Sequence, residues 1–268
     1  MDKISVDVFK SQPDSPEQKE LRKKLRELAE LESQLAQKEL ELATKRAEIA
    51  AFERMYLQVV GVWYAELDEV KWRIAEARAR LNPRDRRMRE EAAAAAEKAQ
   101  ASAGEAASID EDESAEKFIP SDAIKKLYRE MARMMHPDLA TDDKERERRH
   151  DFMVKLNLAY EQGDISKMQE ITEKWSLEPE ARKNLSIGDE LVRVIRQIAQ
   201  IEERIEKIDD DLIDLFNSEG YQLMQRVEDA ANEERDLLDE MAEDVIDEIN
   251  SLKTEGFDLL WQLISQGG

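Results

Sequence analysis

The chain has 268 residues, 39% of them charged, with only 8 Gly and 6 Pro, a composition that favours extended helices and leaves little room for sheet. Cysteine is absent, which excludes disulfides, thiolate metal sites and cysteine nucleophiles and makes a reducing compartment, the cytoplasm, the expected location. The net charge of −22 is uneven: residues 201–250 hold 19 acids against four bases, so this surface repels phosphate backbones and no nucleic-acid partner is expected.

Residues 1–15 read as an N-terminal tail, in which Met1 to Pro13 lack the continuous apolar core of a signal peptide. No later stretch reaches the ~20 apolar residues of a membrane span. Ser15-Pro16-Glu17-Gln18 starts a helix, with Ser15 and Gln18 placed to form a capping box and Pro16 suited to the first helical position. Leu21, Leu28, Leu35, Leu42, Ile49, Tyr56, Trp63, Val70 and Ala77 then repeat every seven residues, which predicts a coiled-coil helix over 16–82, ended by Asn82-Pro83. Such a rod, about 100 Å long, needs a second helix over its apolar stripe. Glu32, Glu39 and Glu53 fall on the seam and mark a looser stretch, or one reserved for a partner. Tyr56, Trp63, Tyr64 and Trp72 are expected as packing groups rather than as a ligand box.

Residues 83–117, with an alanine run and an acidic patch around Asp110 to Glu113, read as a low-complexity linker. A small helical domain is expected at 118–175. A second coiled-coil arm follows over 176–266, its seam filled by Leu191, Val194, Ile198, Ile201, Ile205, Ile208, Leu212 and Leu215, with breaks near 217–220 and 254–256. The expected fold is therefore all-α: a long antiparallel coiled-coil hairpin with the small domain inserted at its tip, Ala77 facing about Leu191 and Tyr56 near Leu212. Pairing of the arms between two chains, a homodimer, is the alternative.

Within 118–175 the first helix should follow Pro120, with Ser121 as cap and Asp122 in the first turn. Ile124, Leu127, Tyr128, Met131 and Met135 form its apolar face, and Lys125, Lys126, Arg129 and Arg133 form a basic strip opposite. Pro137 cannot continue the helix, so His136-Pro137-Asp138 starts a loop. A helix over about Lys144 to Glu161 presents Met153, Leu156 and Tyr160, Gly163-Asp164 stops it, and a short helix over Ile165 to Trp175 closes the unit. In this loop Pro137 would fix the backbone, His136 could close the preceding helix end, and Asp138 offers a carboxylate to a partner's arginine or to its own backbone.

The run IKKLYREMARMMHPDL, residues 124–139, is similar to the second helix and signature loop of the J-domain proteins, the DnaJ or Hsp40 co-chaperones. Met153, Leu156, Asn157, Ala159 and Tyr160 match the family's third-helix pattern, with Met153 where an aromatic is usual. The resemblance covers about 50 residues. It implies that Lys125, Lys126, Arg129 and Arg133 engage the acidic surface of the ATPase lobes of an Hsp70 (DnaK-like) chaperone, while His136, Pro137 and Asp138 act at its interdomain linker. The effect would be allosteric, with no covalent chemistry. The family's first helix is not evident, and only Phe118-Ile119 are available to cover that side of the core. No Gly/Phe-rich segment or cysteine-rich zinc domain follows, so the coils, rather than those modules, would choose the client or the place.

His136 and His150 are the only histidines, and neither their spacing nor any phosphate loop, zinc motif or nucleophile elbow points to catalysis. No enzyme activity, cofactor or metal is expected, and the two histidines are expected to be solvated. The structural alternative is a coiled-coil scaffold or adaptor whose J-like hairpin has no Hsp70 function.

Overall fold

A computed structural model describes residues 15–107, 117–140, 142–177 and 185–266. The tail before Ser15 and the acidic patch around Asp110 to Glu113 lie outside the described residues. The chain is all-α: every regular element among the described residues is a helix or helical turn. It divides into two compact units, one of Met1–Lys45 with Pro120–Asp214, the other of Arg46–Ile119 with Leu215–Gly268.

Helix α1, Pro16–Tyr56, begins with the capping box expected from its sequence: Ser15 N–H donates to Gln18 Oε1 at 2.8 Å and Gln18 N–H to Ser15 Oγ at 3.3 Å. A five-residue π-turn, Leu57–Gly61, leads into α2, Val62–Leu81, and the Val62 N–H reaches back five residues to the Leu57 carbonyl. Leu21, Leu28, Leu35, Leu42 and Ile49 are buried on the seven-residue repeat; Ala77 continues that row in α2, and Val60 within the π-turn and Leu67 and Ile74 beyond it are buried beside it. Trp63 packs against the Leu67 cluster and Tyr56 against that of Val60, whereas Tyr64 is exposed and is not the packing group expected.

The segment expected as a linker holds α3, Arg86–Ala107. It doubles back along α2, with Lys98 and Ser102 bonded to the buried Asp68 at 2.9 and 2.6 Å. Its alanines carry too little apolar area to announce a core face, yet their small size permits close approach of two helices, and Ala99 is buried. Burial pushes the Asp68 carboxyl up, but the hydrogen bonds from Ser102 and Lys98 overcome this and hold it below its ordinary value.

In the same unit α8, Glu219–Asn232, and α9, Leu237–Gln266, complete the partner of α2. Gly220 lies against Ile49 and Glu53, Val60 joins a cluster with Met224 and Leu238, Leu67 packs with Val245 and Ile249, and Ile74 meets Gly256. Numbering rises in the same direction on both sides, so these helices run parallel. The antiparallel hairpin is corrected on this point: α3 makes the return journey that the second arm was expected to make, and α2 faces α9 rather than Leu191 to Leu212. Lys71–Glu248 and Lys253–Glu66 ion pairs, at 2.8 and 2.7 Å, flank the seam, as does the contact of Arg78 with Glu255.

Of the two expected breaks, one is found in place and the other lies elsewhere. Ser218 caps α8 through the Tyr221 N–H, as the interruption at 217–220 suggested, and Gly220 serves close packing on α1. No break occurs at 254–256, where Gly256 sits inside α9; the second break falls at 233–236, where Glu234 takes a left-handed φ of 61°.

The other unit joins the first part of α1 to α4, Asp122–Met135, α5, Asp143–Glu161, α6, Ile165–Leu177, and α7, Ile187–Phe216, as far as Asp214. Ser121 caps α4 through the Ile124 N–H, Asp142 caps α5 through the Glu145 N–H, and Gly163, at φ 66°, stops α5. Among the described residues, no helix is long and apolar enough to cross a membrane.

Candidate functional site

Helices α4 and α5 run antiparallel, as two contacts along their length show: Tyr128 donates to Asn157 Oδ1 at 2.7 Å near one end, and Arg149 to the Met134 carbonyl at 3.2 Å near the other. Ile124, Tyr128, Met131, Met135, Met153, Leu156 and Tyr160 are buried between them and their neighbours, and Leu127 is half-buried. The Tyr128 and Tyr160 rings stack obliquely at 4.7 Å. α6 closes one side, where Trp175 meets the edge of Phe152 at 5.3 Å and carries the Arg148 guanidinium at 4.3 Å.

His136, Pro137 and Asp138 make the turn joining α4 to α5. Pro137–Leu139 is a single 3₁₀ turn, closed by Leu139 N–H to the His136 carbonyl and Ala140 N–H to the Pro137 carbonyl. The His136 Nδ1 accepts from the Asp138 N–H at 3.2 Å, so this imidazole caps the turn rather than the preceding helix. Closing that helix falls to Arg149, whose Nη1 donates to the Met134 and His136 carbonyls at 3.2 and 3.1 Å while its Nε meets Glu145 at 2.9 Å. Burial pulls the Arg149 guanidinium below its usual value against the pull of Glu145.

The turn is not an open tip. His136 is 2% exposed, which corrects the expectation of a solvated histidine, whereas His150 is exposed. With Nδ1 occupied as acceptor, Nε2 carries the proton and donates to Glu39 Oε1 on α1 at 3.0 Å. The same oxygen accepts from Arg204 Nε on α7 at 2.8 Å, and Arg204 has Asp211 at 3.9 Å. Burial pushes the Glu39 carboxyl up, but the hydrogen bond from His136 and the charge and hydrogen bond of Arg204 bring it below its ordinary value. Burial likewise opposes the charged form of Arg204, and Glu39 outweighs it. Gln197 donates to the Leu139 carbonyl at 2.9 Å, and Gln200 spans the Asp138 carbonyl and Arg146, at 3.2 and 3.3 Å. Asp138 keeps 28% of its side chain exposed, 3.6 Å from the His136 ring.

The basic strip divides. Lys126 is exposed with Glu130 at 3.9 Å, and Lys125 is half-buried. Arg129 donates to Gln37 Oε1 at 3.2 Å and Arg133 faces Glu32 at 3.5 Å, both on α1. The first part of α1 also contacts the hairpin core, through Thr44 to the Tyr160 hydroxyl at 2.8 Å and the Glu39 carbonyl to Tyr128 at 3.5 Å. It covers a side of the hairpin for which Phe118-Ile119 had been the only candidates, and Ile119 is 83% exposed. The small domain therefore packs along α1 from Glu32 to Thr44, and is not an insertion at the tip of a hairpin as expected.

Glu39, Arg149 and Arg204 are the site residues that sequence reasoning did not assign. Glu39 had left a trace, a carboxylate on an apolar seam; Arg149 and Arg204 sit in charged runs that carry no such mark. No family model, curated protein or solved structure matches the chain.

Proposed function

We propose that the chain is a J-type co-chaperone that stimulates the ATPase of an Hsp70, with its long helices selecting the client or the place of action. The observation supporting this is the combination at one turn: a His136-Pro137-Asp138 tripeptide joining an antiparallel helix pair, fixed from behind by Arg149, with a partly exposed Asp138 carboxylate beside the basic face of α4. A partly exposed carboxylate on a rigid turn beside cations suits docking between an arginine and an acidic surface of a partner. Binding that favours the hydrolysis-poised Hsp70 state would shift its population without any chemistry on this chain. The test is steady-state ATP hydrolysis by an Hsp70 of the same organism with wild-type protein and Asp138→Asn. Stimulation that vanishes in the variant, at unchanged helicity, supports the activity; a flat response from both refutes it.

One observation favours a second function, a scaffold whose J-like hairpin is a packing element. His136 is enclosed by Glu39 and Arg204, so in this conformation its imidazole serves the fold and is out of a partner's reach. In that case Asp138→Asn leaves every Hsp70 response unchanged, and the role of the chain rests on what its helices bind, a client protein or a second copy.

A further inference from the structure

Three of the residues that would meet an Hsp70 already have acidic or amide partners on α1. His136 is bound to Glu39, Arg133 faces Glu32 and Arg129 donates to Gln37, all from consecutive turns of α1. On the other side α7 spans the turn, with Gln197 on the Leu139 carbonyl and Gln200 on that of Asp138, and Arg204 fastens α7 to Glu39. A carboxylate buried on an apolar seam is costly unless it is paired, and here one partner is His136 of the turn itself and the other is Arg204 of α7. This is a latch rather than a packing accident, because a leucine at position 39 would fill a coiled-coil seam better.

Resting on the co-chaperone function proposed above, we infer that α1 and α7 hold the His136-Pro137-Asp138 turn in an autoinhibited state, with Glu32, Gln37 and Glu39 occupying Arg133, Arg129 and His136, three of the groups that an Hsp70 would otherwise engage. Docking of Hsp70 and closure of the latch then compete for the same side chains. A protein that binds the arms and pulls Arg204 away from Glu39 activates the turn, so client capture and Hsp70 recruitment are coupled. Since the apparent affinity is divided by the fraction of competent molecules, loosening a latch that is open about a tenth of the time lowers the half-saturating concentration about tenfold.

The experiment uses the full chain and two loosened variants, Glu39→Gln and the α7 double variant Gln197→Ala/Arg204→Gln, the latter leaving α1 and the hairpin core untouched. Two readouts are taken. Carbethoxylation of His136 by diethyl pyrocarbonate, mapped by mass spectrometry with exposed His150 as internal reference, reports the latch without any Hsp70. Stimulation of Hsp70 hydrolysis against co-chaperone concentration reports activity, each variant being repeated with Asp138→Asn. The expected result is a protected His136 in wild type, faster labelling in both variants, and half-saturation about tenfold lower in an Asp138-dependent way. Labelling of His136 as fast as His150 in wild type overturns the latch. So does wild-type stimulation equal to that of variants whose His136 is demonstrably freed, an outcome that leaves the co-chaperone activity standing. Freed His136 with no stimulation from any form overturns the co-chaperone activity, and the inhibitory role with it. Should either variant melt below the assay temperature, the other variant and the wild-type labelling decide.

Discussion

Replacing Glu39 with Ala removes a single oxygen that accepts from both His136 Nε2, at 3.0 Å, and Arg204 Nε, at 2.8 Å. A hydrogen bond to a charged group contributes about 1.5–3 kcal/mol. The His136 bond is enclosed and belongs in the upper part of that range. The Arg204 side chain is 27% exposed and keeps Asp211 at 3.9 Å, so its share is roughly halved by solvent and by that second partner. The sum, about 3–4 kcal/mol, agrees with the loss of about 3–5 kcal/mol on breaking a buried pair. For a unit of this size it corresponds to a fall in Tm of about 10 °C. Glu39→Gln keeps an acceptor and loses only the charge, and should cost about a third as much. The pH dependence has a definite sign. The folded Glu39 carboxyl lies below its ordinary value of 4.5, so its stabilisation is complete above that value and disappears as the pH falls through the folded pKa. Both variants should therefore show a shallower loss of stability on acidification. Thermal melting followed by circular dichroism between pH 3 and 7 measures both effects. A Glu39→Ala shift below about 2 °C, with an acid limb like that of wild type, would show that Glu39 does not join these elements.

Three further outcomes follow from contacts elsewhere. Arg149→Met strands the Met134 and His136 carbonyls and should cost about 2–4 kcal/mol in urea unfolding, with faster carbethoxylation of His136 as the turn loosens. Asp68→Ala removes the acceptor of Lys98 and Ser102; with Lys98 largely exposed, the loss is about 1–2 kcal/mol, and limited proteolysis should cut first within α3. Glu234→Gly relieves a left-handed backbone position at a helix end and should raise stability by about 1 kcal/mol, read from the denaturation midpoint.

What the sequence discloses is local. Ser15, Ser121 and Gly163 announce their caps because those residue types satisfy orphan backbone groups wherever they occur, and the hairpin core from Ile124 to Tyr160 follows from helical spacing. Direction between distant helices is another matter. Heptads on two arms state that each needs a partner, and the same stripe serves a parallel or an antiparallel one. The deciding element was α3, whose alanines resemble a solvated linker in composition and act by being small. The break at 233–236 lacks the glycine that normally marks such a stop, while Gly256, which carries that mark, stays within α9 and meets Ile74. The burial of His136 was half visible: Glu39 on an apolar seam asked for a partner, but nothing in one dimension says that the partner lies 97 residues away.

The π-turn at Leu57–Gly61 gives the long helical segment a property that neither flank has alone. Each residue of a helix advances the side-chain direction by about 100°, so removing one residue here would restore ordinary winding and swing everything after it by that angle. Leu67 and Ile74 would turn away from Val245, Ile249 and Gly256 while Ile49 and Phe52, before the turn, stayed in place. Length, hydrophobicity and helicity would all survive such a deletion; the angular setting of α2 against α9 would not. Leu57–Gly61 thus works as a fixed offset, and the tolerance of this chain to insertion or loss should be narrowest at a place where its composition is least distinctive.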